Sequence, residues 1–410
     1  MSVSRIPDAE CGRRRLGRTS ASAGGHSMAR LKVLVFDPIA AGGIPARPLP
    51  QSLKRQGDML HQALLADLDA LSGIEVVSMT RSGAAPGHPA GVDGGNGAAG
   101  TAAATEAEKT KSAGWTKTPR EGQATVRSRT WPAACSSASA PMLRGMHRFG
   151  AHLIAGMQAA DAVWPLASES DGVLECLSLG VLRGKRILLG SAPGAVEVAA
   201  SKLKLARVLA DGGVAAVATY SPHAALPQDG GPWVVKPDDG AGCLDTRLFG
   251  DRAAALAWIR AHGADGYVLQ PFVAGKLGSL SLICCDGAAR VLACNQERVA
   301  MHDNRFHFLG SVVNGLADDD GVLARLAQQV AAAIPSLWGY VGVDFVLTAH
   351  GAMVLDVNPR LTTAYAGLHA SIGCNPAGLV LDLLNGPGAM TAQALPAGMR
   401  RAVSVDVGVA

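Results

Sequence analysis

The stretch Val354-Leu-Asp-Val-Asn-Pro-Arg-Leu-Thr-Thr-Ala-Tyr365 decides the fold, because it has the pattern of a strand that ends abruptly in polar residues. Alternate side chains of an extended strand share a face, so Asp356 and Asn358 point the same way. By the same alternation Leu355 and Val357 point into the core. A proline then stops the strand and an arginine follows, so two oxygen ligands and a guanidinium meet at one rim.

A further acid lies just upstream on a neighbouring apolar run. The segment Gly342-Val-Asp-Phe-Val-Leu347 is predicted to be a strand carrying Asp344, and the short link from Thr348 to Gly351 makes a hairpin with the next strand. The three oxygen ligands suit Mg²⁺ or Mn²⁺ bridging the phosphates of a nucleotide. Arg360 would make a bidentate contact with a phosphoryl or carboxylate group beside that metal. The alternative is a solvated turn with an incidental Asn-Pro.

A glycine-containing loop follows another short apolar strand, at Trp233-Val-Val-Lys-Pro-Asp-Asp-Gly-Ala-Gly242. The strand delivers Lys236, and the backbone N–H groups of the loop can approach phosphate oxygens closely because glycine has no Cβ. The loop is not a Walker loop, since its lysine precedes the glycines. Lys202 stands near the start of a helical pattern, where a lone lysine is ordinarily a solvated residue.

Taken in chain order, these motifs resemble those of ATP-grasp enzymes over about residues 30 to 385. The resemblance implies an α/β and α+β architecture, in which an ATP-grasp fold follows an amino-terminal parallel α/β domain, the pre-ATP-grasp domain. ATP is then the nucleotide, and Mg²⁺ or Mn²⁺ its metal. The implied ligands are Lys202, Lys236, Asp239, Gly240 and Gly242 for phosphate, Gln270, Phe272 and Val273 of the hinge for adenine, and Asp344, Asp356 and Asn358 for metal.

One of the three implied metal ligands departs from the ATP-grasp pattern. Members of that family commonly have Glu where this chain has Asp356. The shorter side chain would hold only one metal tightly, or hold a second one through water, so the number of metals stays open.

Within the ATP-grasp enzymes, the chain is similar to the tyramine-glutamate ligases of methanofuran biosynthesis and their relatives in methylotrophic bacteria. Three segments carry this likeness: Lys32-Val-Leu-Val-Phe-Asp37 with the Gly42-Gly43 turn after it, Gly57-Asp-Met-Leu-His-Gln-Ala-Leu-Leu-Ala-Asp-Leu68, and Asn358-Pro-Arg-Leu-Thr-Thr-Ala-Tyr-Ala-Gly-Leu368. The likeness implies glutamate as the carboxylate donor, with tyramine, tyrosine or a glutamylated intermediate as the amine acceptor.

The mechanism implied by the resemblance is amide formation through an acyl phosphate. A carboxylate attacks the γ-phosphate of ATP, and an amine then displaces phosphate from the acyl carbon, so positioning and charge stabilisation carry most of the rate. Arg360 and Arg298 are the candidates for the acyl phosphate or the glutamate carboxylates, with a plain surface arginine as the alternative for Arg298. Thr362, Thr363 and Tyr365 are candidates for reading the amine, with simple loop capping as their alternative.

The amino-terminal part alternates strand and helix, which predicts a parallel sheet with helices on both faces. Glu169 and Asp171 follow one of its strands, where they either bind a ligand or cap the next helix, and they are not assigned to the site. The expected division is a disordered or untranslated leader (1–29), a pre-ATP-grasp domain (30–198) with a disordered insertion (81–141), a small lobe with the phosphate loop (199–272), a large lobe with the metal site (273–390), and a tail or final strand (391–410).

Composition narrows the function classes. A chain of 410 residues is long enough for two or three domains, and an aromatic content of 4 % offers few stacking platforms for single-stranded nucleic acid, so nucleic acid is not an expected partner. No run of about 18 apolar residues predicts a membrane span. Eight cysteines without a Cys-x-x-Cys pair indicate no zinc site and favour the cytoplasm.

The expected partners are small molecules, namely a carboxylate donor and an amine acceptor. The sequence leaves the oligomeric state open, with a homodimer among the candidates. Two other functions also stay open. The first is an ATP-grasp ligase, carboxylase or kinase with another substrate, and the second is a sensor that binds ATP without turnover.

Overall fold

The structure is a computed structural model that describes residues 30–38, 51–78, 153–228, 230–240, 242–263, 266–386, 388–392 and 400–408. Several expectations concern residues outside these ranges. They are the leader 1–29, the Gly42-Gly43 turn, the insertion 81–141 and most of the segment 391–399.

The amino-terminal part forms a parallel sheet, as the sequence predicts. Its elements are β1 (Leu31–Phe36), α1 (Gln51–Asp69), β2 (Ile74–Ser78), α2 (153–159), β3 (Ala162–Pro165), α3 (Val173–Arg183) and β4 (Ile187–Leu188). The described strands lie in the order β2-β1-β3-β4 and all pairs are parallel. The last four residues of β1 are buried, which is typical of a strand covered by helices on both faces.

The remaining chain builds a larger, mostly antiparallel sheet. Its elements are α4 (Pro193–Ala200), α5 (Lys202–Asp211), β5 (Trp233–Pro237), β6 (Arg247–Phe249), α6 (Arg252–His262), β7 (Tyr267–Pro271), β8 (Lys276–Cys285), β9 (Ala288–His302), β10 (Arg305–Val313), α7 (Val322–Ala333), β11 (Gly339–Thr348), β12 (Gly351–Asn358), α8 (Tyr365–Ile372), α9 (Pro376–Asp382), α10 (Ala389–Ala392) and β13 (Val403–Asp406). The described order is β12-β11-β8-β9-β10-β6-β5-β7, with β13 also on β10.

The two faces of this sheet belong to different hydrophobic cores. Cys284 packs in a core with Leu326 and Val330 of α7, whereas Cys285 lies in a core with Tyr365 and Leu368 of α8. Adjacent strand residues point to opposite faces, which accounts for the separation of the two cysteines. Toward the other end of the α8 face the side chains become polar, and the candidate site is built there.

A β-bulge in the β11–β12 hairpin corrects one expectation. Phe345 pairs with Val354 and the preceding Asp344 pairs with Asp356, so Leu355 is an extra residue without a partner on β11. Leu355 is half-buried rather than part of the core, while Val357 is fully buried as expected. In a regular strand Asp356 would share the face of Val354, two residues before it, whereas the bulge places it on the face of Asp344.

No helix in the part of the chain that the structure describes is long and apolar enough to cross a bilayer.

Candidate active site

Three polar side chains of the hairpin meet at its open end. The register pairs Asp344 with Asp356 and places Asn358 opposite Gly342, so all three side chains lie on one face. The Asn358 Nδ2 donates to Asp344 Oδ2 at 3.1 Å. The convergence expected for these oxygen ligands is therefore present in the geometry.

The electrostatics of this cluster suit a cation. Burial, and after it the charge of Asp356, raises the pKa of Asp344 to about 6. Two carboxylates and an amide oxygen are hard ligands of the type that Mg²⁺ takes, and a divalent cation would offset the repulsion between the two acids. Among the described residues no group of three His, Cys, Asp or Glu side chains forms a metal cage. Two carboxylates and one amide oxygen leave further coordination positions of a Mg²⁺ ion to water and phosphate oxygens.

Lys202 reaches this cluster from the first turn of α5. Its Nζ lies 3.3 Å from Asp356 Oδ2 and donates to the carbonyl oxygen of Gly240 at 2.8 Å. The helix begins here because Ser201 caps it, its Oγ accepting from the N–H of Lys204 at 3.1 Å. Burial lowers the pKa of Lys202, but the carboxylates of Asp356 and Glu169 outweigh burial and raise it. Lys202 is thus a buried cation rather than a solvated helix residue.

Lys236 approaches the same cluster from β5. Its side chain is buried, and its Nζ lies 3.5 Å from the carbonyl oxygen of the bulged Leu355. Burial, and after it the charge of Lys202, lowers the pKa of Lys236 to about 8. Two cations held this close to one another create a site that favours an anion between them.

The loop expected to bind phosphate begins at Asp238, two residues after Lys236, and contacts Lys202, whose Nζ donates to the Gly240 carbonyl oxygen. The N–H of Leu203 donates to Asp238 Oδ1 at 2.8 Å, which ties the loop to the start of α5. Gly242 has a φ of +68°, a left-handed conformation that glycine adopts without strain. Ala241 lies outside the described residues.

The residues expected to receive adenine lie along β7 and the hinge after it. Gln270 is buried and its Nε2 donates to Thr219 Oγ1 at 2.8 Å, so the amide is anchored to a neighbouring loop. Phe272 is 40 % exposed, and its N–H donates to the carbonyl of Pro232 at 2.8 Å. Val273 follows as a partly buried residue. The exposed ring leaves an apolar surface available for a flat ligand.

Glu169 belongs to the site although the sequence did not assign it there. Arg360 Nε donates to Glu169 Oε2 at 2.5 Å, and its Nη2 donates to Glu169 Oε1 at 3.1 Å. The same Nη2 donates to Asn358 Oδ1 at 3.0 Å. Two residues after Glu169, the N–H of Asp171 donates to Asp239 Oδ2 at 2.7 Å. The signal for both acids was their place at the carboxyl end of β3.

The other predicted substrate residues are dispersed. Thr362 Oγ1 lies 2.9 Å from Tyr340 OH, and Thr363 Oγ1 donates to Gln56 Oε1 of α1 at 3.5 Å. Tyr365 is fully buried and donates to Asp67 Oδ2 at 2.8 Å, so it supports the contact of α1 with α8 instead of facing a ligand.

Arg298 points away from the hairpin, toward the edge of the sheet. Its guanidinium forms an ion pair with Asp406 and donates to the carbonyl of Val405 at 3.3 Å, both in β13. Its neighbour Glu297 faces the other way, and Glu297 Oε1 accepts from Ser279 Oγ. Burial, and after it the charge of Asp344, raises the pKa of Glu297 to about 7.

Two family models match the chain. The description of one is an ATP-grasp domain, over residues 199–364, and that of the other is a pre ATP-grasp 3 domain, over residues 126–196. A curated protein, the tyramine--L-glutamate ligase of Methanocaldococcus jannaschii, is 31 % identical over 104 residues, which cover 25 % of this chain and 32 % of that protein. The match thus spans about a third of the curated relative.

Solved structures share the fold at low sequence identity. A putative ATP-grasp superfamily protein from Archaeoglobus fulgidus has a TM-score of 0.56 and 18 % identity, with 86 % of this chain and 88 % of that chain covered. The D-alanine--D-alanine ligase from Bacillus anthracis has a TM-score of 0.53 and 13 % identity, with 87 % and 96 % covered. At these identities the likeness shows the fold alone.

Proposed function

The chain belongs to the ATP-grasp superfamily, with a pre-ATP-grasp domain ahead of the ATP-grasp domain, and from this premise we propose that it is an ATP-dependent carboxylate–amine ligase. The donor is an amino acid of the glutamate type and the acceptor a primary amine of the tyramine type. The substrates follow the partial likeness to a tyramine--L-glutamate ligase. They would serve the synthesis of a methanofuran- or methylofuran-type one-carbon carrier.

The observation that carries the proposal is the meeting of two lysines with the ligand hairpin. Lys202 comes from α5 and Lys236 from β5, yet both contact consecutive residues of β12, at 3.3 Å from Asp356 Oδ2 and 3.5 Å from the Leu355 carbonyl oxygen. Two lysines beside two carboxylates suit a nucleoside triphosphate together with its Mg²⁺, since the lysines can contact phosphate oxygens and the carboxylates the metal. A packing role alone would not bring two buried lysines to one strand.

The residues of the chain have separable tasks in the first step. Lys202 and Lys236 hold phosphate oxygens of ATP and offset their charge. Mg²⁺ bound at Asp344, Asp356 and Asn358 would supply further neutralisation of the transferring phosphoryl group. A donor carboxylate oxygen attacks the γ-phosphorus, the bond from that phosphorus to the bridging oxygen breaks, and ADP leaves with the negative charge.

In the second step the amine nitrogen attacks the acyl carbon. The bond from this carbon to the phosphate oxygen breaks and inorganic phosphate leaves. The nitrogen attacks as a neutral amine, after one proton of the ammonium has gone to water, and it then loses one further proton to water. Arg360 stands beside Asn358 and contacts the developing charge on the acyl phosphate, and Glu169 fixes its guanidinium in place. The chain supplies orientation and charge, which is most of what acyl-phosphate chemistry requires.

The test is ADP release by the purified protein with ATP and MgCl₂. Glutamate alone and tyramine alone should give little ADP, and the two together should give steady turnover with an amide product. Lys236→Met and Asp356→Ala should abolish turnover, whereas Lys204→Met, which changes an exposed lysine two residues from Lys202, should not. Turnover only with another carboxylate or amine would correct the proposed substrates but keep the ligase function. ATP binding without any turnover would contradict the ligase function.

A further inference from the structure

A row of polar side chains crosses the sheet from the metal hairpin. The register pairs Asp344 with Ser279 and Ser279 with Asn295, and Glu297, two residues beyond Asn295, pairs with Ser311. Paired residues of an antiparallel sheet share a face, as do residues two apart on a strand. The row therefore runs over four adjacent strands, β11, β8, β9 and β10, on the face that carries the site.

Within this row Glu297 is incompletely paired. Its Oε1 accepts from Ser279 and, at 3.4 Å, from Ser311. Its Oε2 is a buried atom without a hydrogen-bond partner among the residues that the structure describes. By contrast, the Asn295 amide donates to Ser279 at 3.2 Å and to Ser281 at 3.1 Å. A buried oxygen left without a donor is costly, so a ligand is expected to complete it.

Glu297 lies on the opposite side of Asp344 from the phosphate-binding contacts. Lys202 meets the hairpin at Asp356 on β12, the outer strand. Glu297 stands on β9, which β8 separates from β11. Neighbouring strands are about 4.8 Å apart, so Glu297 is roughly 10 Å across the sheet from Asp344 at the backbone. A group bound between them would adjoin the transferring phosphoryl group from the side away from the lysines.

The charges facing Glu297 favour a cationic ligand. The acids Asp344 and Glu297 act on each other as like charges, the Cys243 thiol lies on the same side, and Arg298 is the nearby cation. Arg298 is already paired with Asp406. The row thus supplies hydroxyls and carboxylates but leaves the Oε2 atom of Glu297 without a donor among the described residues.

We propose that Glu297 is the subsite for the ammonium group of the acceptor amine. The carboxylate holds the ammonium until one of its protons passes to water, and the neutral nitrogen then attacks the acyl carbon of the acyl phosphate. This inference rests on the proposed ligase function. A carboxylate binds an ammonium group through charge-assisted hydrogen bonds. A substrate with a neutral hydroxyl or thiol in place of the ammonium cannot form hydrogen bonds of this strength. Glu297 therefore selects amines over alcohols, and Ser279 and Ser311 hold its other oxygen in position.

The experiment separates acyl-phosphate formation from amine recognition. The full chain is given ATP, MgCl₂ and glutamate, with either tyramine or hydroxylamine as the nucleophile. Hydroxylamine is uncharged near neutral pH and traps acyl phosphates as hydroxamates without an ammonium subsite. The variants are Glu297→Gln, the conservative Glu297→Asp, and Glu75→Gln as the control, since Glu75 is an exposed acid on β2.

The expected result is a split between the two nucleophiles. Glu297→Gln should raise the KM for tyramine at least tenfold while hydroxamate formation and MgADP binding stay within twofold of the unaltered chain. Glu297→Asp should recover part of the tyramine KM, and Glu75→Gln should change neither reaction.

Two results would overturn the inference while leaving the ligase intact. One is an unchanged tyramine KM in Glu297→Gln, and the other is an equal loss of both reactions or of MgADP binding, which would indicate a structural role. Absence of both hydroxamate and amide with the unaltered chain is a different outcome, because it would overturn the ligase function itself and the inference with it.

Discussion

Glu169 and Arg360 form a bidentate ion pair between the loop after β3 and the end of β12, with donor–acceptor distances of 2.5 and 3.1 Å. The pair couples the amino-terminal parallel sheet to the ligand hairpin, because Arg360 also donates to Asn358. A substrate that binds to Arg360 must therefore do so in the presence of Glu169. The amino-terminal part of the chain thus takes part in shaping the site.

Breaking this ion pair should destabilise the protein markedly. Glu169→Ala leaves the guanidinium of Arg360 without its carboxylate in a largely buried place, and we expect the free energy of unfolding to fall by about 3 kcal/mol. The matched control is Glu75→Ala, which breaks an exposed pair with Lys32 and should cost at most about 1 kcal/mol. Denaturant titration measures both losses of unfolding free energy. Equal losses would show that the buried ion pair contributes no more to stability than the exposed one.

Lys202 should contribute to nucleotide affinity where its near neighbour does not. Lys202→Met removes a buried cation next to Asp356, and we expect MgATP binding to weaken at least tenfold, corresponding to about 1.4 kcal/mol or more. Lys204→Met removes an exposed cation of the same helix turn, 2.6 Å from Glu197, and should leave binding unchanged. Calorimetry checks both variants. A similar loss in the two would point to a general effect of charge.

Lys236 should make stability depend on alkaline pH. Its pKa is about 8 in the folded protein because of burial and the charge of Lys202, against 10.5 ordinarily, so the unfolded chain binds more protons between these values. Stability from this residue therefore rises as pH increases from about 8 to 10.5.

The variant Lys236→Met removes this dependence. It should be the more stable form at pH 7, by up to about 3 kcal/mol since a tenfold change in proton affinity is worth about 1.4 kcal/mol, and the difference should shrink toward pH 10. Unfolding curves of both proteins at matched pH measure it. A difference that is constant with pH would contradict the lowered pKa of Lys236.

Asp344 should destabilise the metal-free protein while serving its activity. Asp344→Asn removes a buried carboxylate that repels Asp356, so in the presence of a chelator we expect the free energy of unfolding to rise by about 2 kcal/mol. The same change should remove most of the stabilisation that Mg²⁺ with ADP confers. Asp303→Asn, on an exposed turn, is the control and should do neither. Loss of stability without metal would contradict the repulsion.

Gly342 should tolerate no side chain. A Cβ at this position would lie 2.4 Å from Thr362 Cγ2, and Thr362 is held by a hydrogen bond with Tyr340. Gly342→Ala should therefore lower the free energy of unfolding by about 1 to 3 kcal/mol. The control is Gly57→Ala in α1, where a Cβ would meet nothing within 4 Å and helix propensity should instead stabilise the protein by about 0.5 kcal/mol or more. Thermal unfolding compares the two, and the same sign for both would contradict this account.

The sequence predicted the strands and helices, and it predicted that Asp344, Asp356 and Asn358 would come together. Strand alternation placed Asp344, Asp356 and Asn358 on one face, since this pattern is local. It could not place Leu355, because a bulge depends on the register with another strand. Nor could the sequence decide whether Glu297 or Arg298 faces the hairpin. Adjacent residues point to opposite faces, and the register of three further strands determines which of these faces carries the hairpin ligands.

Long-range contacts account for the other differences. Tyr365 was considered for substrate binding, but its partner Asp67 lies 298 residues away in α1, and no local pattern reveals that pair. Glu169 and Arg360 are 191 residues apart and were each recognised as strand-end residues without being connected. The roles of the hinge, the loop and the metal ligands remain predictions for the experiments above.

The extra residue at Leu355 gives the hairpin one position at which its length can change without loss of the ligand face. In a regular strand side chains alternate at every step, so one added or deleted residue before Asn358 would reverse the orientation of everything that follows. The bulge absorbs one residue, because Val354 and Asp356 stay opposite Phe345 and Asp344 while Leu355 is left between them. Deletion of Leu355 would therefore restore a regular pairing in which Asp356 still opposes Asp344. Changes in the length of this segment should be confined to Leu355 and to the turn beyond Thr348.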